Sequence, residues 1–141
     1  MSVTVPDSHK DLFEQPVYAV VTTVLPDGQP QSTVIWVDYD GQYVLFTTAQ
    51  GRQKEKNLAA NPKVTVILID PRDPYRWIEV RGKVEEATTD GAFDHIEKMS
   101  WKYKNQKYYG GYNKRYSSRD QETRILYKIK PTKINAYPVK R

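Results

Sequence analysis

Tyr75-Arg76-Trp77-Ile78-Glu79-Val80-Arg81-Gly82-Lys83-Val84-Glu85-Glu86 alternates as a half-buried strand does, with Ile78, Val80 and Val84 on one face and Trp77, Glu79, Arg81, Lys83 and Glu85 on the other. Gly82 falls within this run, where a missing side chain allows the bulge or bend that a barrel corner requires. The stretch before it, Lys63 to Asp70, is apolar on both faces: Val64, Val66 and Leu68 on one, Ile67 and Ile69 on the other. A sheet with one face in water leaves the second set unexplained, so something must cover each face.

Working upstream, Tyr18 to Leu25 reads as a strand and Pro26-Asp27-Gly28-Gln29 as a turn. Gln31 to Tyr39 follows as a second strand, Asp40-Gly41 as a hairpin signal and Gln42 to Thr48 as a third strand, giving three consecutive antiparallel strands. Ser8 or Asp7 caps a short helix through Leu12 and Phe13 that stops before Gln15-Pro16. Downstream, a helix is expected from Thr88 or Thr89, with Phe93, Ile96, Ser100 and Tyr103 on one side, until Tyr108-Tyr109-Gly110-Gly111-Tyr112 breaks it. Arg124 to Lys130 is the last long strand, ended by Pro131, and Ile134 to Tyr137 forms a short terminal strand. The fold expected is mainly β: a six- or seven-stranded antiparallel barrel, closed or split, with short helices, one domain over residues 1–141. The doubly apolar strands call for a homodimer that covers the outer face.

The composition suits such a domain, with 38% apolar and 28% charged residues among 141. Cysteine is absent, which excludes disulfides, thiolate catalysis and zinc-cysteine sites. The amino terminus has no signal-peptide pattern and no window reaches membrane-spanning length, so a cytoplasmic protein without membrane contact is expected. A net charge of +5 is too small an excess to identify a partner by itself.

The distribution of charge says more. Gly51-Arg52-Gln53-Lys54-Glu55-Lys56-Asn57-Leu58 sets three cations at alternate positions where a strand gives way to a helix that ends at Asn61-Pro62. Helix-opening amides and the positive end of the helix dipole favour an anion there, and Arg52 and Lys54 add charge-assisted hydrogen bonds. Lys56 follows Lys54 by two and should turn away into solvent. Thr47 and Thr48 bring hydroxyl donors to the same strand end, although β-branched strand propensity explains them equally well.

Between Lys98 and Arg119 seven basic residues and no acidic one are interleaved with six aromatics. This is a surface loop packing its tyrosines on the barrel, a cationic lid over an anionic ligand, or a single-strand nucleic-acid platform. Nucleic acid is disfavoured, because cations spread between a helix and a Gly-Gly turn do not form the stripe a groove binder needs. The two histidines, His9 and His95, form no triad and no metal spacing; His95 reads as structural or solvated. With no glycine-rich nucleotide loop either, an enzyme of this sequence would rely on a bound cofactor for its reactive atom.

Several stretches together resemble the flavin/deazaflavin oxidoreductases of the split β-barrel fold, which include the pyridoxamine-phosphate-oxidase-like and FMN-binding proteins. They are Pro26-Asp27-Gly28-Gln29-Pro30-Gln31, Val44-Leu45-Phe46-Thr47-Thr48, Gly51 to Leu58, Asn61-Pro62-Lys63-Val64, Asp70 to Glu85, and Ile129-Lys130-Pro131-Thr132-Lys133. In wording they are most similar to the branch that uses coenzyme F420, a deazaflavin with a phosphate and a polyglutamate tail. The resemblance implies an F420-dependent oxidoreductase that passes hydride to a small organic substrate, with FMN as the alternative cofactor and a non-enzymatic cofactor- or nucleic-acid-binding barrel as a further alternative.

By position, the resemblance assigns Arg52 and Lys54 to the cofactor phosphate, Asn57 to a polar contact one turn on, and Thr47 and Thr48 to the strand end beside it. Thr33 and Val34 match the stretch whose backbone lines the ring, and Tyr75 and Trp77 match aromatic residues near it, from the same or the partner subunit. The family is homodimeric with cofactor sites at the interface. No catalytic side chain and no metal ligand is assigned. Pyridoxamine-phosphate oxidases carry a carboxy-terminal motif with arginine and histidine, whereas this chain has no histidine after His95, which disfavours vitamin B6 oxidation.

Overall fold

The computed structural model describes residues 3–108 and 122–138. A 3-10 turn, Asp7–His9, and a single helical turn, α1 (Asp11–Glu14), precede strand β1 (Ala19–Val24). Then come β2 (Pro30–Ile35), β3 (Asp38–Tyr39), β4 (Val44–Ala49), α2 (Gln53–Ala60), β5 (Lys63–Ile69), β6 (Trp77–Thr88), α3 (Ala92–Lys104) and β7 (Arg124–Tyr137). All pairings are antiparallel, in one seven-stranded sheet of order β2-β1-β5-β6-β7-β4-β3.

That order closes the architecture. β2 and β3 are the two edges of the sheet, yet only Trp36 and Val37 separate them in the chain. A link this short spans about 10 Å at most, so the sheet must curl until its edges meet. The result is the expected mainly β, split-barrel fold. The expected run of three consecutive paired strands is corrected: Gln31 to Tyr39 breaks in two, and β4 pairs with β7 rather than with β2. The break has a local cause. Val37 is fully buried, its N–H is bonded to the Tyr103 hydroxyl at 3.2 Å, and its carbonyl accepts from Lys102 at 2.9 Å. Side chains of α3 satisfy this backbone where a neighbouring strand would have done so.

The barrel interior is packed mainly with apolar side chains. Val21, Val66, Leu68, Ile78, Val80, Phe46 and Ile129 are all essentially inaccessible, each worth roughly 1.5–3 kcal/mol of burial. Gly82 provides the corner: a Cβ there would lie 2.4 Å from the Lys130 carbonyl oxygen and 2.8 Å from Ile129 Cγ2, at a register shift between Arg81 and Gly82. Gly82 faces Pro131 across this bulge. A bulge tolerates a residue without an N–H, so β7 passes through Pro131 to Tyr137 and the expected stop there is overturned. The helix expected from Thr88 or Thr89 is also displaced. Ala87 and Thr88 pair with Tyr127 and Leu126 of β7, and ladder pairing holds them in the strand until Gly91, at φ +75°, opens α3.

On the outer face, Ile67 is half-buried and Ile69 is 46% exposed. Ile69 pairs with Trp77, which stacks on Tyr137 at 5.9 Å, and Tyr75 is 77% exposed nearby in the chain. Within the described residues the second apolar face of β5 is therefore only partly covered.

Candidate functional site

A cleft of about 510 Å³ opens where the two sheet edges approach, between β2, the β4–α2 junction and α3. Thr33, Val34 and Ile35 of β2 and Thr47 of β4 line it, with Arg52, Gln53 and Lys54 at the start of α2. Ile96 and Met99 of α3, Trp36 and Tyr18 give it an apolar and aromatic wall, while Lys104, Tyr108 and Arg124 complete the other side. A volume of this order suits a small organic ligand or cofactor.

The cationic end is built by the strand-to-helix turn. Arg52 is the N-cap residue of α2, in an extended conformation, and its own side chain makes no capping hydrogen bond to the first helical amides. These amides and the helix dipole point positive charge toward the cleft. Lys54 Nζ donates to Thr33 Oγ1 at 2.7 Å, tying α2 to β2. Burial, and then the positive charges of Arg52 and Arg124, push the Lys54 ammonium down to about 8. Such a cation stands to gain from a bound anion. Thr47 Oγ1, which belongs to a lining residue, is buried without a hydrogen-bond partner among the described residues.

Asn57 stands behind this surface. It is 1% exposed, donates to Thr23 Oγ1 and Gln31 Oε1 at 3.0 Å each, and accepts from Gln53 Nε2 at 2.8 Å. Its side chain orients Gln31 and Gln53, which do line the cleft, and is not itself a lining residue. Thr48 is 1% exposed and faces the interior, also outside the lining. Lys56 is exposed, as its spacing predicts. The structure thus brings Thr33, Val34, Thr47, Arg52 and Lys54 together, seats Asn57 and Thr48 behind them, and leaves Tyr75 and Trp77 away from the cleft of the single chain.

Of the residues in this region that escaped sequence reasoning, four bear on its electrostatics and proton chemistry. Arg124 and Tyr108 line the cleft, and Glu122, with a fully buried side chain, accepts from Arg124 Nε at 2.9 Å and lies 3.8 Å from Arg52. Burial first, and the Glu122 hydrogen bond second, push the Tyr108 phenol up to about 12. Glu122-Thr123-Arg124 does place two charges on one face of an extended chain, a weak signal that says nothing of the cleft. The fourth is His95, expected to be structural or solvated, which lines the α3 wall. Burial holds its imidazole neutral, down to about 4, and Nε2 has no hydrogen-bond partner among the described residues.

A protein-family model described as pyridoxamine 5'-phosphate oxidase matches residues 5–137. The chain belongs to that family. A solved structure titled F420 Reductase superimposes with a TM-score of 0.78 at 35% identity, covering 93% of this chain and 98% of that one. General Stress Protein 26 from Bacillus anthracis shares the fold, with a TM-score of 0.65 at 22% identity over 89% of this chain and 88% of its own. Among curated family members, the pyridoxine/pyridoxamine 5'-phosphate oxidase of Aeromonas hydrophila is 37% identical over 75 residues, 52% of this chain. That match spans only 35% of the relative's length, and a second oxidase, from Rhodopseudomonas palustris, is matched over 42% of its length at 31% identity.

Residues 109–119 of the basic, tyrosine-rich segment lie outside the described residues. Within them, Tyr103 stacks on Trp36 at 5.5 Å and Lys102 donates to the Phe13 and Val37 carbonyls. At least this portion of the segment packs on the barrel. Among the described residues no helix is long and apolar enough to cross a membrane, and no cluster of His, Asp and Glu is arranged to hold a metal ion.

Proposed function

We propose that this chain is an F420-dependent oxidoreductase that binds the deazaflavin in the cleft between β2, α2 and α3 and reduces a small organic substrate there. The observation that carries the reading is the pairing, in one cleft, of a cationic end at the opening of α2 with an apolar, aromatic wall. A ligand that is a flat ring joined to an anion fits both halves. The F420 reductase likeness, which spans nearly the whole of both chains, supports the deazaflavin over other cofactors of that shape.

Arg52, Lys54 and the first amides of α2 hold the phosphate, with Thr47 supplying its otherwise unused hydroxyl. Thr33 and Val34 line the ring, and Asn57 keeps Gln31 and Gln53 oriented behind it. When bound, the deazaflavin supplies hydride chemistry that no side chain of the cleft offers. The protein positions the ring, excludes water along Ile96 and Met99, and neutralises the phosphate. Ile69, Tyr75, Trp77 and Tyr137 form the apolar patch through which a second copy docks, and Tyr75 and Trp77 reach a ring only in that dimer.

FMN is the second reading, the alternative cofactor that the family resemblance implies; the curated relatives, named as oxidases, are each matched over less than half their length. Fluorescence titration of the purified protein with F420 and with FMN separates the two. Micromolar binding of FMN with none of F420 overturns the deazaflavin assignment. Replacing Arg52 and Lys54 together by alanine should weaken binding of either by ~100-fold, the value of two charge-assisted hydrogen bonds, with the fold intact by circular dichroism. Unchanged affinity would mean that the phosphate lies elsewhere.

A further inference from the structure

Arg124 begins β7, seventy-two positions after Arg52, and the fold delivers it to the same cleft. The residue is 5% exposed. Its Nε donates to Glu122 Oε2 at 2.9 Å, its Nη2 donates to the Tyr108 hydroxyl, and its guanidinium lies over the Tyr108 ring at 5.3 Å. The Tyr108 hydroxyl is also hydrogen-bonded to Glu122. One edge of the guanidinium is thereby fixed by two partners that are themselves buried. Nη1 makes no hydrogen bond among the described residues, although Arg124 lines the cleft.

Stability does not account for this arrangement. A buried Arg–Glu pair seldom outperforms apolar side chains of equal volume, because desolvation of both charges offsets their attraction. A planar fork held rigid on one edge and open on the other is what recognition of a phosphate or carboxylate needs. The charge of Arg124 is also felt at Lys54, so the two lie within electrostatic reach. Arg52, on the other flank, is 3.8 Å from the same Glu122.

We infer that Arg124 is a third anion-binding residue of the cleft, donating its open edge to the same phosphate group as Arg52 and Lys54, with Glu122 and Tyr108 holding the fork in place. The inference rests on the phosphate site proposed above. Its chemistry is specific: the gain should appear for ligands with an anionic phosphate and vanish for the same ring without one.

The test compares dissociation constants for FMN against riboflavin, and for F420 against its phosphate-free deazariboflavin chromophore, by fluorescence titration. Arg124→Lys keeps the charge but loses the fork, and should weaken the phosphate-bearing member of each pair by ~10-fold while leaving the phosphate-free member within twofold. A preference unchanged by Arg124→Lys overturns the inference, as does equal weakening of both members. If that variant fails to fold, the double replacement Arg124→Met with Glu122→Gln removes both buried charges at similar volume and should show the same loss of preference. The Arg52→Ala, Lys54→Ala double variant run alongside separates the two ideas. Preference lost there and kept in the Arg124 variants removes Arg124 alone from the site. Preference kept in all of them overturns the phosphate site as well.

Discussion

Two charged clusters in this protein both set arginine against carboxylate, with opposite balances of charge. At one end of the barrel Arg76 donates to Asp70 at 3.0 Å, to the Ser8 carbonyl at 2.8 Å and to Asp11, so one cation meets two carboxylates. At the cleft, Arg52 and Arg124 flank the buried carboxylate of Glu122, and Lys54 feels the positive charge of both. In the first cluster Arg76 is raised, chiefly by its hydrogen bond to Asp11, and Asp70 is lowered, chiefly by the backbone N–H of Arg72 and then by Arg76. In the second cluster Lys54 is driven toward neutrality. Opposite charges in balance tie chain segments together, whereas like charges crowded beside a cavity stand to gain from an anion.

The contrast breaks most directly at Arg76. Alanine there should lower the melting midpoint by ~5–10 °C, because the amino-terminal turn loses its tie to the β5–β6 loop, while ligand affinity at the cleft stays within twofold. Scanning fluorimetry and a parallel titration give both numbers. A large loss of affinity with no change in melting would show that the clusters have been assigned the wrong way round.

Next in size are opposite responses to pH. Asp70 has a depressed folded-state value, so its contribution to stability is complete above the ordinary carboxylate range and is lost as pH falls through that range, below about 4. Lys54 titrates at about 8 without ligand, and a bound phosphate must raise that value. Affinity for a phosphate-bearing ligand is therefore fullest below pH 8 and should fall by ~10-fold between pH 7 and 10. A binding curve flat over that range would remove Lys54 from the anion site.

The smallest effect is the most diagnostic. In the ligand-free protein the lowered Lys54 value means that the unfolded chain holds the proton more tightly, so stability rises as pH climbs from 8 toward 10.5. Lys54→Met should raise the ligand-free melting midpoint by ~2–4 °C at pH 7 while weakening ligand binding. A cation that served only the fold would lower it.

Much of this was legible in the chain. The alternation of Trp77 to Val84, the apolar run Val64 to Ile69 and the corner at Gly82 specify a curled antiparallel sheet, and Gly82 stands where a Cβ would meet the Lys130 carbonyl. That Arg52 and Lys54 share one cationic turn was readable because the placement is local, set by a strand end and a helix start a few residues apart. What failed were readings in which a local preference competed with a distant partner. Pro131 looks like a strand end until Gly82 provides the bulge that accommodates it. Thr88 looks like a helix cap until Leu126 claims it for the ladder.

His95 and Arg124 mark the same boundary within the site. Nothing near Arg124 in the chain signals a ligand, and His95 on its helix resembles any solvated histidine. Their meaning arises because α3 and β7 are brought against β2 and α2 by a sheet whose edges meet at Trp36 and Val37. The sequence by itself determined the barrel, its corner and the first two cations, since periodicity, backbone sterics and helix-end electrostatics act over a few residues. Only the tertiary structure decided that a third cation, its buried carboxylate and a neutral imidazole share that cleft, because burial and long-range Coulomb interactions exist only once distant segments pack together.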